Sequence, residues 1–293
     1  MEGERVVVTT DLSKNAAPAA VTANQLAKKL GVEVELFHVF DLSQRGSGEK
    51  IRVLRDPELR ARAEERVRRW YEEVVGELPD DVTLKSGAPS EEIRDRAAAD
   101  DVACLVIGMS GRGAWNRLIF GSTVLKVASR PPCPTAVVHP DSHRVSDEMT
   151  LGVGADFSPA SDAALKEAVW LAKRLDAAIR IVHATALPAT TVIHAGELPP
   201  GMETTEVVNW AQDSMDAFVR RHRDLLEGVD YRAKVVTDHP VAGLRSFVED
   251  QGIDWMILGH RTASQRGGAT TVKGKWIQRM NCSTFLVPTS RTT

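Results

Sequence analysis

The chain aligns with itself. The segment VVVTTDLSKNAAPAAVTANQLAKKLGVEVELFHVF, beginning at Val6, matches LGVGADFSPASDAALKEAVWLAKRLDAAIRIVHAT, beginning at Leu151, at a constant offset of 145 residues. Asp11 falls on Asp156, Ser13 on Ser158, Leu26 on Leu171 and His38 on His183. Farther along, DDVACLVIG, ending at Gly108, matches QGIDWMILG, ending at Gly259, at an offset of 151, and PPCPTAVV matches MNCSTFLV at 149. A repeat this long restricts the chain to two copies of one unit, with insertions and deletions in loops where the offset drifts. At roughly 150 residues per domain, 293 residues give each copy enough chain for its own core.

Each copy reads as strand, helix, strand, longer helix, then strand, helix, strand, helix, strand. In the first copy, apolar β-rich runs predict strands at Arg5–Thr10, Val32–Phe40, Val82–Lys85, Val102–Gly108 and Thr135–Val138. Asp56 and Pro57 open a helix in which Leu59, Ala63, Val67, Trp70 and Val74 recur at spacings of three and four. Its Arg60, Arg62, Arg66, Arg68 and Arg69 interleave with Glu64, Glu65, Glu72 and Glu73, the pattern of a solvated face with i,i+4 ion pairs rather than of a basic docking site. Strands joined by helical crossovers run parallel, with right-handed connections and helices on both faces. The expected fold is therefore α/β, two doubly wound five-stranded parallel-sheet domains in tandem, over residues 1–140 and 149–293. Asp141–Glu148 is the linker, and Leu187–Met202, with three prolines and two glycines, reads as a loop inside the second copy. Such sheets take ligands beyond the carboxyl ends of their strands.

Composition narrows the partners. Lys plus Arg number 37 against 40 Asp plus Glu, and the formal charge of −3 supplies no field for gripping a polyanion, so nucleic acid is not an expected partner. No stretch approaches the roughly 18 apolar residues of a membrane span, and the N-terminus has no basic-then-apolar leader. A soluble, cytoplasmic protein with no membrane partner is expected. Cys104, Cys133 and Cys282, odd in number and without a CxxC pair, fit a reducing compartment.

The chemistry-bearing segment follows the fourth strand. CLVIG runs into Gly108-Met-Ser-Gly111, and nine residues later Gly121-Ser122-Thr123 precedes the helical pattern Val124, Leu125, Val127, Ala128. Glycines leaving a strand let backbone amides approach an anion without a Cβ in the way, and a Gly-Ser-Thr step puts N–H groups and hydroxyls at a helix N-terminus. Together they form a phosphate cradle; singly, Gly108 and Gly111 read as a turn after a strand. Arg112 and Arg117 lie in the intervening stretch, positioned either to neutralise phosphate or to be solvated. Trp115 either closes over the site or sits at an exposed tip.

This G-x2-G-x9-G-S spacing resembles the nucleotide loop of the universal stress protein family, and VVTTDLS at the first strand, FHVF at the second and PCPTAVVHP at the last are similar to that family as well. The resemblance covers both copies. It implies a Rossmann-like, adenine-nucleotide-binding domain with ATP, alone or with Mg, at the sheet's switch point. It also implies a last strand that pairs domains, and tandem two-domain members are a familiar variant. Carried over to this chain, Thr9, Asp11 and Val39 would border the adenosine; Ile107, Gly108 and Gly111 would flank ribose and phosphates; Gly121, Ser122 and Thr123 would donate to the phosphates. Asp11 has a second reading as a helix cap or local turn acceptor beside Ser13.

The second copy departs from this pattern. It reads Gly259-His260-Arg261-Thr262, with threonine for the second glycine, and Thr270-Thr271 stand where the first copy has Gly121-Ser122. Each restores a Cβ where close phosphate approach needs none, although Asp156, Arg261, Arg266, Lys273 and Lys275 remain to attract an anion. A weakened or altered second site is expected. The ATTVKGKW segment is not a P-loop: Ala269 stands where its first glycine belongs, and Trp276 follows the lysine.

His38 and His183, matched in the repeat, read as satisfied structural histidines without an acid or nucleophile partner. His194 with Glu197 does not make a tetrahedral metal set, and Cys133 and Cys282 read as packing thiols. No catalytic residue and no metal ligand is assigned. The leading function is an ATP-binding, stress-response module whose occupancy sets conformation or partners, with slow or no hydrolysis. The competing classes are an ATPase or nucleotidyl or phosphoryl transferase, and a scaffold with structural nucleotide. The matched last strands TAVV and TFLV are expected to pair the copies about a pseudo-twofold axis. Homodimerisation of the whole chain stays open.

Overall fold

In the first copy β1 (Arg5–Thr10), β2 (Glu33–Asp41), β3 (Asp81–Gly87), β4 (Val102–Gly108) and β5 (Thr135–Val138) alternate with α1 (Ala17–Leu30), α2 (Pro57–Val75), α3 (Pro89–Ala97) and α4 (Ser122–Ser129). The second copy repeats this with β6 (Thr150–Gly154), α5 (Pro159–Leu175), β7 (Ala178–Thr185), α6 (Thr204–Arg221), the one-turn α7 (Arg223–Leu226), β8 (Tyr231–Thr237), α8 (Pro240–Gln251), β9 (Trp255–His260), α9 (Val272–Ile277) and β10 (Ser283–Pro288). These elements come from a computed structural model that describes residues 4–41, 53, 55–109, 121–141, 145, 148–186, 204–260, 272–277 and 279–289. β1, β4 and β5 have the bounds predicted from the sequence. β3 is longer than its apolar run because polar Asp81, Ser86 and Gly87 still pair in register with Glu35, Phe40 and Asp41 of β2.

The strand order is β3-β2-β1-β4-β5-β10-β9-β6-β7-β8. Within each copy all neighbours are parallel. β5 and β10 meet antiparallel, Thr284 opposite Val137, Phe285 opposite Ala136 and Leu286 opposite Thr135. The five-stranded sheets are thus halves of one ten-stranded sheet. Beside this seam the His139 N–H donates to Ser283 Oγ at 3.1 Å, and the buried Trp276 indole donates to Thr284 Oγ1 at 2.9 Å. Both faces carry cores continuous across the seam. One holds Val8, Leu26 and Val106 together with Leu165, Ile257 and Phe285; the other holds Ile107, Val124 and Val137 together with Leu258, Trp276 and Leu286.

Local chemistry sets the helix ends. Asp56 caps α2, its carboxylate accepting from the Glu58 and Leu59 amides at 3.0 and 3.2 Å, with Pro57 in the first turn and Gly76 ending the helix at φ 90°. The stripe α2 buries is Ala63, Val67 and Tyr71, with Leu59, Trp70 and Val74 flanking it half-buried. Its outer face carries the expected i,i+4 pairs, Arg60 to Glu64 at 3.1 Å and Arg69 to Glu65 at 2.8 Å. Such exposed pairs contribute only about 0.3–0.5 kcal/mol each, so the helix is held by its buried stripe.

Candidate functional site

Alternation along the strands decides which residues meet. Val7 of β1, Phe37 of β2 and Leu105 of β4 pack against Ile93 and Ala97 of α3 and Val127 of α4. Two residues farther, on the same face, stand Thr9, Val39 and Ile107. They line the carboxyl edge of the sheet on either side of the β1–β4 junction, where the strand order reverses. α4 begins at this edge, with the Gly121 N–H directed at the Met109 carbonyl 3.4 Å away. Among the described residues no side chain caps the first turn of α4; Ser122 is exposed and Thr123 half-exposed. The amino end of such an eight-residue helix presents the amides of its first turn and the positive end of its dipole to an anion. Gly111 and Arg112, together with Arg117 and Trp115, lie outside the described residues, as do Thr262, Thr270 and Thr271.

Asp11 and Gly108 have local roles at the same edge. The Asp11 carboxylate accepts from the Ser13 amide at 3.0 Å, and the Leu12 amide donates to Thr10 Oγ1 at 2.9 Å, closing a tight turn with Leu12 at φ 62°. The matched residue Phe157 takes φ 61°. A side chain there strains the backbone by roughly 1–2 kcal/mol, which the surrounding turn must hold. A Cβ on Gly108 would point to the opposite face, 3.2 Å from the Asn15 carbonyl oxygen and 3.7 Å from Ala19 Cβ. Glycine at this position therefore lets the start of α1 close on the end of β4, a packing reason the spacing alone does not reveal.

The second copy uses its matching positions for its own packing. Gly154 stands at the place of Thr9, and a Cβ there would lie 2.5 Å from Leu258 Cδ2, Leu258 being the counterpart of Ile107. Ala184 stands at the place of Val39, and Gly243 of α8 approaches so closely that its Cβ would be 3.3 Å from that of Ala184. The Leu258 side chain thus occupies the space that the Thr9 side chain takes in the first copy. Asp156 accepts from the Ser158 amide at 3.1 Å and from the hydroxyls of Ser158 and Ser161. The counterpart of Ser161 in the first copy is Ala16. The match of the chain with itself carries this signal in its Thr9-to-Gly154 and Val39-to-Ala184 exchanges.

The paired histidines are structural. His38 Nδ1 lies 2.8 Å from the Thr10 carbonyl and His183 Nδ1 lies 2.7 Å from that of Ala155, the same bond in both copies. His183 also stacks on Phe157 with ring centroids 4.5 Å apart. Burial lowers the His183 pKa, opposed in part by its hydrogen bond to Ala155 and by Asp156. The unfolded chain then binds the proton more readily, so this histidine's contribution is complete above its ordinary value of 6.5 and lost as pH falls through the lower folded value. Denaturant midpoints at about pH 7.5 and 5.5 should drop more for the wild type than for His183→Asn; equal drops would contradict this. His139, lowered by burial against the pull of Asp141, keeps the variant's slope from vanishing.

Among the described residues no helix is long and apolar enough to cross a membrane, and no group of three or more His, Cys, Asp or Glu is placed to hold a metal ion. Comparison with known proteins bears on this geometry twice over. In fold, the chain is similar to a universal stress protein from Archaeoglobus fulgidus, with a TM-score of 0.72 at 19% identity, covering 99% of this chain and 100% of that one. In sequence, it is 30% identical over 148 residues to a universal stress protein of Mycobacterium tuberculosis, an alignment covering 50% of this chain and 48% of the relative. It thus spans about half the length of that relative. A Thermus aquaticus universal stress protein is 29% identical over 135 residues, 45% of this chain and 96% of its own. The model of the universal stress protein family matches twice, over residues 3–139 and 149–288. With both copies matched along nearly their full length, the chain belongs to the universal stress protein family.

Proposed function

We propose that the first copy binds an adenine nucleotide, ATP alone or with Mg, and that occupancy sets the conformation or the partners of a stress-response protein. The observation that carries this reading is the convergence of Thr9, Val39 and Ile107 on one face at the β1–β4 junction, beside the amino end of α4. Gly111 and Arg112 complete the cradle, and Gly121, Ser122 and Thr123 donate to the phosphates. The second copy, with Leu258 against Gly154 at the place of Thr9, serves as a packing and regulatory partner joined through β5 and β10. Residues 1–140 and 149–293 are the two functional units, located in the cytoplasm. Hydrolysis is slow or absent: His38, the imidazole nearest in sequence to Val39, points to the other face of the sheet and is bonded to the Thr10 carbonyl.

ATP at about a hundred times its dissociation constant should stabilise the chain by about 2.7 kcal/mol, read as a rise in the thermal midpoint. Gly121→Val should abolish that rise. Gly121 has φ −64° and ψ 144°, a conformation valine adopts readily, so the variant should fold and its loss should report the added side chain at the phosphates. Thr270→Val should leave the rise unchanged. Equal losses from both substitutions would make the second copy a working site, and no rise in the wild type would end the nucleotide reading.

A further inference from the structure

β8 closes the sheet at the second copy's end: one edge of its backbone pairs with β7 and, among the described residues, no strand pairs with the other. None of its residues is buried, and Arg232, Ala233, Lys234 and Thr237 are exposed. β3, the opposite edge strand, buries Val82 and Leu84. Alternation sets Arg232 and Lys234 on the face where Val236 packs under α8. Arg180 of β7 pairs in register with Arg232, so two arginines stand side by side on that face, an arrangement of like charges that costs stability. Among the described residues, the one acid paired with this group is Asp230, 3.0 Å from Arg180. The first copy has Glu35, Asp81 and Thr83 at the places of Arg180, Arg232 and Lys234, with Arg5 and Arg96 to balance the acids. The second copy has Thr150 and Phe247 for those two arginines. A neutralised cluster in one copy is thus replaced in the other by cations at an unpaired edge.

An unpaired edge offers N–H and C=O groups to an added strand, and the side chains beside it decide which strand is accepted. On an added strand, residues two apart share a face at a spacing of roughly 7 Å, the same spacing as Arg232 and Lys234. Acids at alternate positions would therefore meet both cations, whereas a neutral or basic strand would leave them opposed or unmatched. A second β8 would bring like charges together. β3 of a second copy would offer Asp81, Thr83 and Lys85 on the matching face, with Asp81 already 3.2 Å from Arg5 and Lys85 of the wrong sign. We propose that β8 is a docking edge for an extended acidic segment of a partner protein, which carries Asp or Glu at alternate positions and adds to the sheet beside Arg232 and Lys234.

The test titrates the whole chain against a fluorescent peptide of about ten residues, threonine and glutamate in alternation, and follows anisotropy. The wild type should bind it saturably. Arg232→Glu combined with Lys234→Glu should weaken binding by about tenfold or more, as two exposed attractions become repulsions. Both residues are exposed, so the thermal midpoint should stay at the wild-type value; Lys234→Gln serves the same comparison if the double variant does not fold. Two control peptides keep the charge, one with its glutamates consecutive and one N-methylated along its backbone. Each should bind about tenfold more weakly, having lost the alternation or the strand hydrogen bonds. Binding that survives the charge reversal, control peptides that bind as well as the alternating one, or a wild type that does not bind it up to about 1 mM overturns the proposal. So does a wild-type dimer in sedimentation that Lys234→Glu separates, which would make this edge a contact between copies.

Discussion

Alanine at Gly259 should lower the unfolding free energy by roughly 3 kcal/mol, the upper range for overpacking a filled site. A Cβ there would overlap the Ala160 backbone carbonyl and come within 2.8 Å of Ala160 Cβ. Backbone cannot rotate away as a side chain does, so α5 must shift relative to β9. The equivalent Gly108 meets the carbonyl of Asn15, the counterpart of Ala160, at 3.2 Å, a contact that a few tenths of an ångström relieves. Gly108→Ala should therefore lower stability by only about 1 kcal/mol. Urea denaturation of the two variants measures the difference. Equal losses would show that the copies pack this helix alike.

Glu35→Ala should lower stability by about 3 kcal/mol, the loss expected when one partner of a buried ion pair is removed. Glu35, on β2, is 1% exposed. Its carboxylate accepts from Arg96 Nε at 2.9 and 3.0 Å and stands 3.4 Å from Arg5 Nη1. Arg96 in turn donates to both oxygens of Asp101 at 2.8 Å. Burial opposes the Arg96 charge, but its bonds to Asp101 and Glu35 outweigh that penalty and its pKa is raised. Without Glu35 two guanidiniums face one another with only the more exposed Asp101, Asp81 and Glu33 to balance them. The second copy has Arg180 at the place of Glu35 and Phe247 at that of Arg96, so the fold does not require this cluster. Replacing Glu35 and Arg96 together by apolar residues should accordingly cost less than Glu35→Ala alone. Additive losses would contradict the coupling.

The residue order determines much of the fold where its signals are local. The apolar runs of β1, β4 and β5, the Asp56-Pro57 helix start and the matched histidines follow from periodicity and turn chemistry confined to a few residues. The Glu35–Arg96–Arg5–Asp101 cluster is not legible in the sequence, because its members lie on four segments and only the sheet register brings them together. Tyr71 escapes the helical stripe because its hydroxyl makes it read as polar, yet its ring is fully buried and its hydroxyl reaches Asn24 Oδ1 at 3.3 Å. At the site, the gathering of Thr9, Val39 and Ile107 on one face is a consequence of period-two alternation, which the residue order alone carries. The packing duty of Gly108 and the seating of Leu258 against Gly154 are tertiary contacts between segments about a hundred residues apart, and spacing alone carries neither.

The asymmetry between the copies is the central claim, and nucleotide stoichiometry tests it most directly. Titration of the whole chain with ATP, followed calorimetrically, should give one nucleotide bound per chain, and none for Gly121→Val. Two per chain, or one retained by Gly121→Val, would contradict the account.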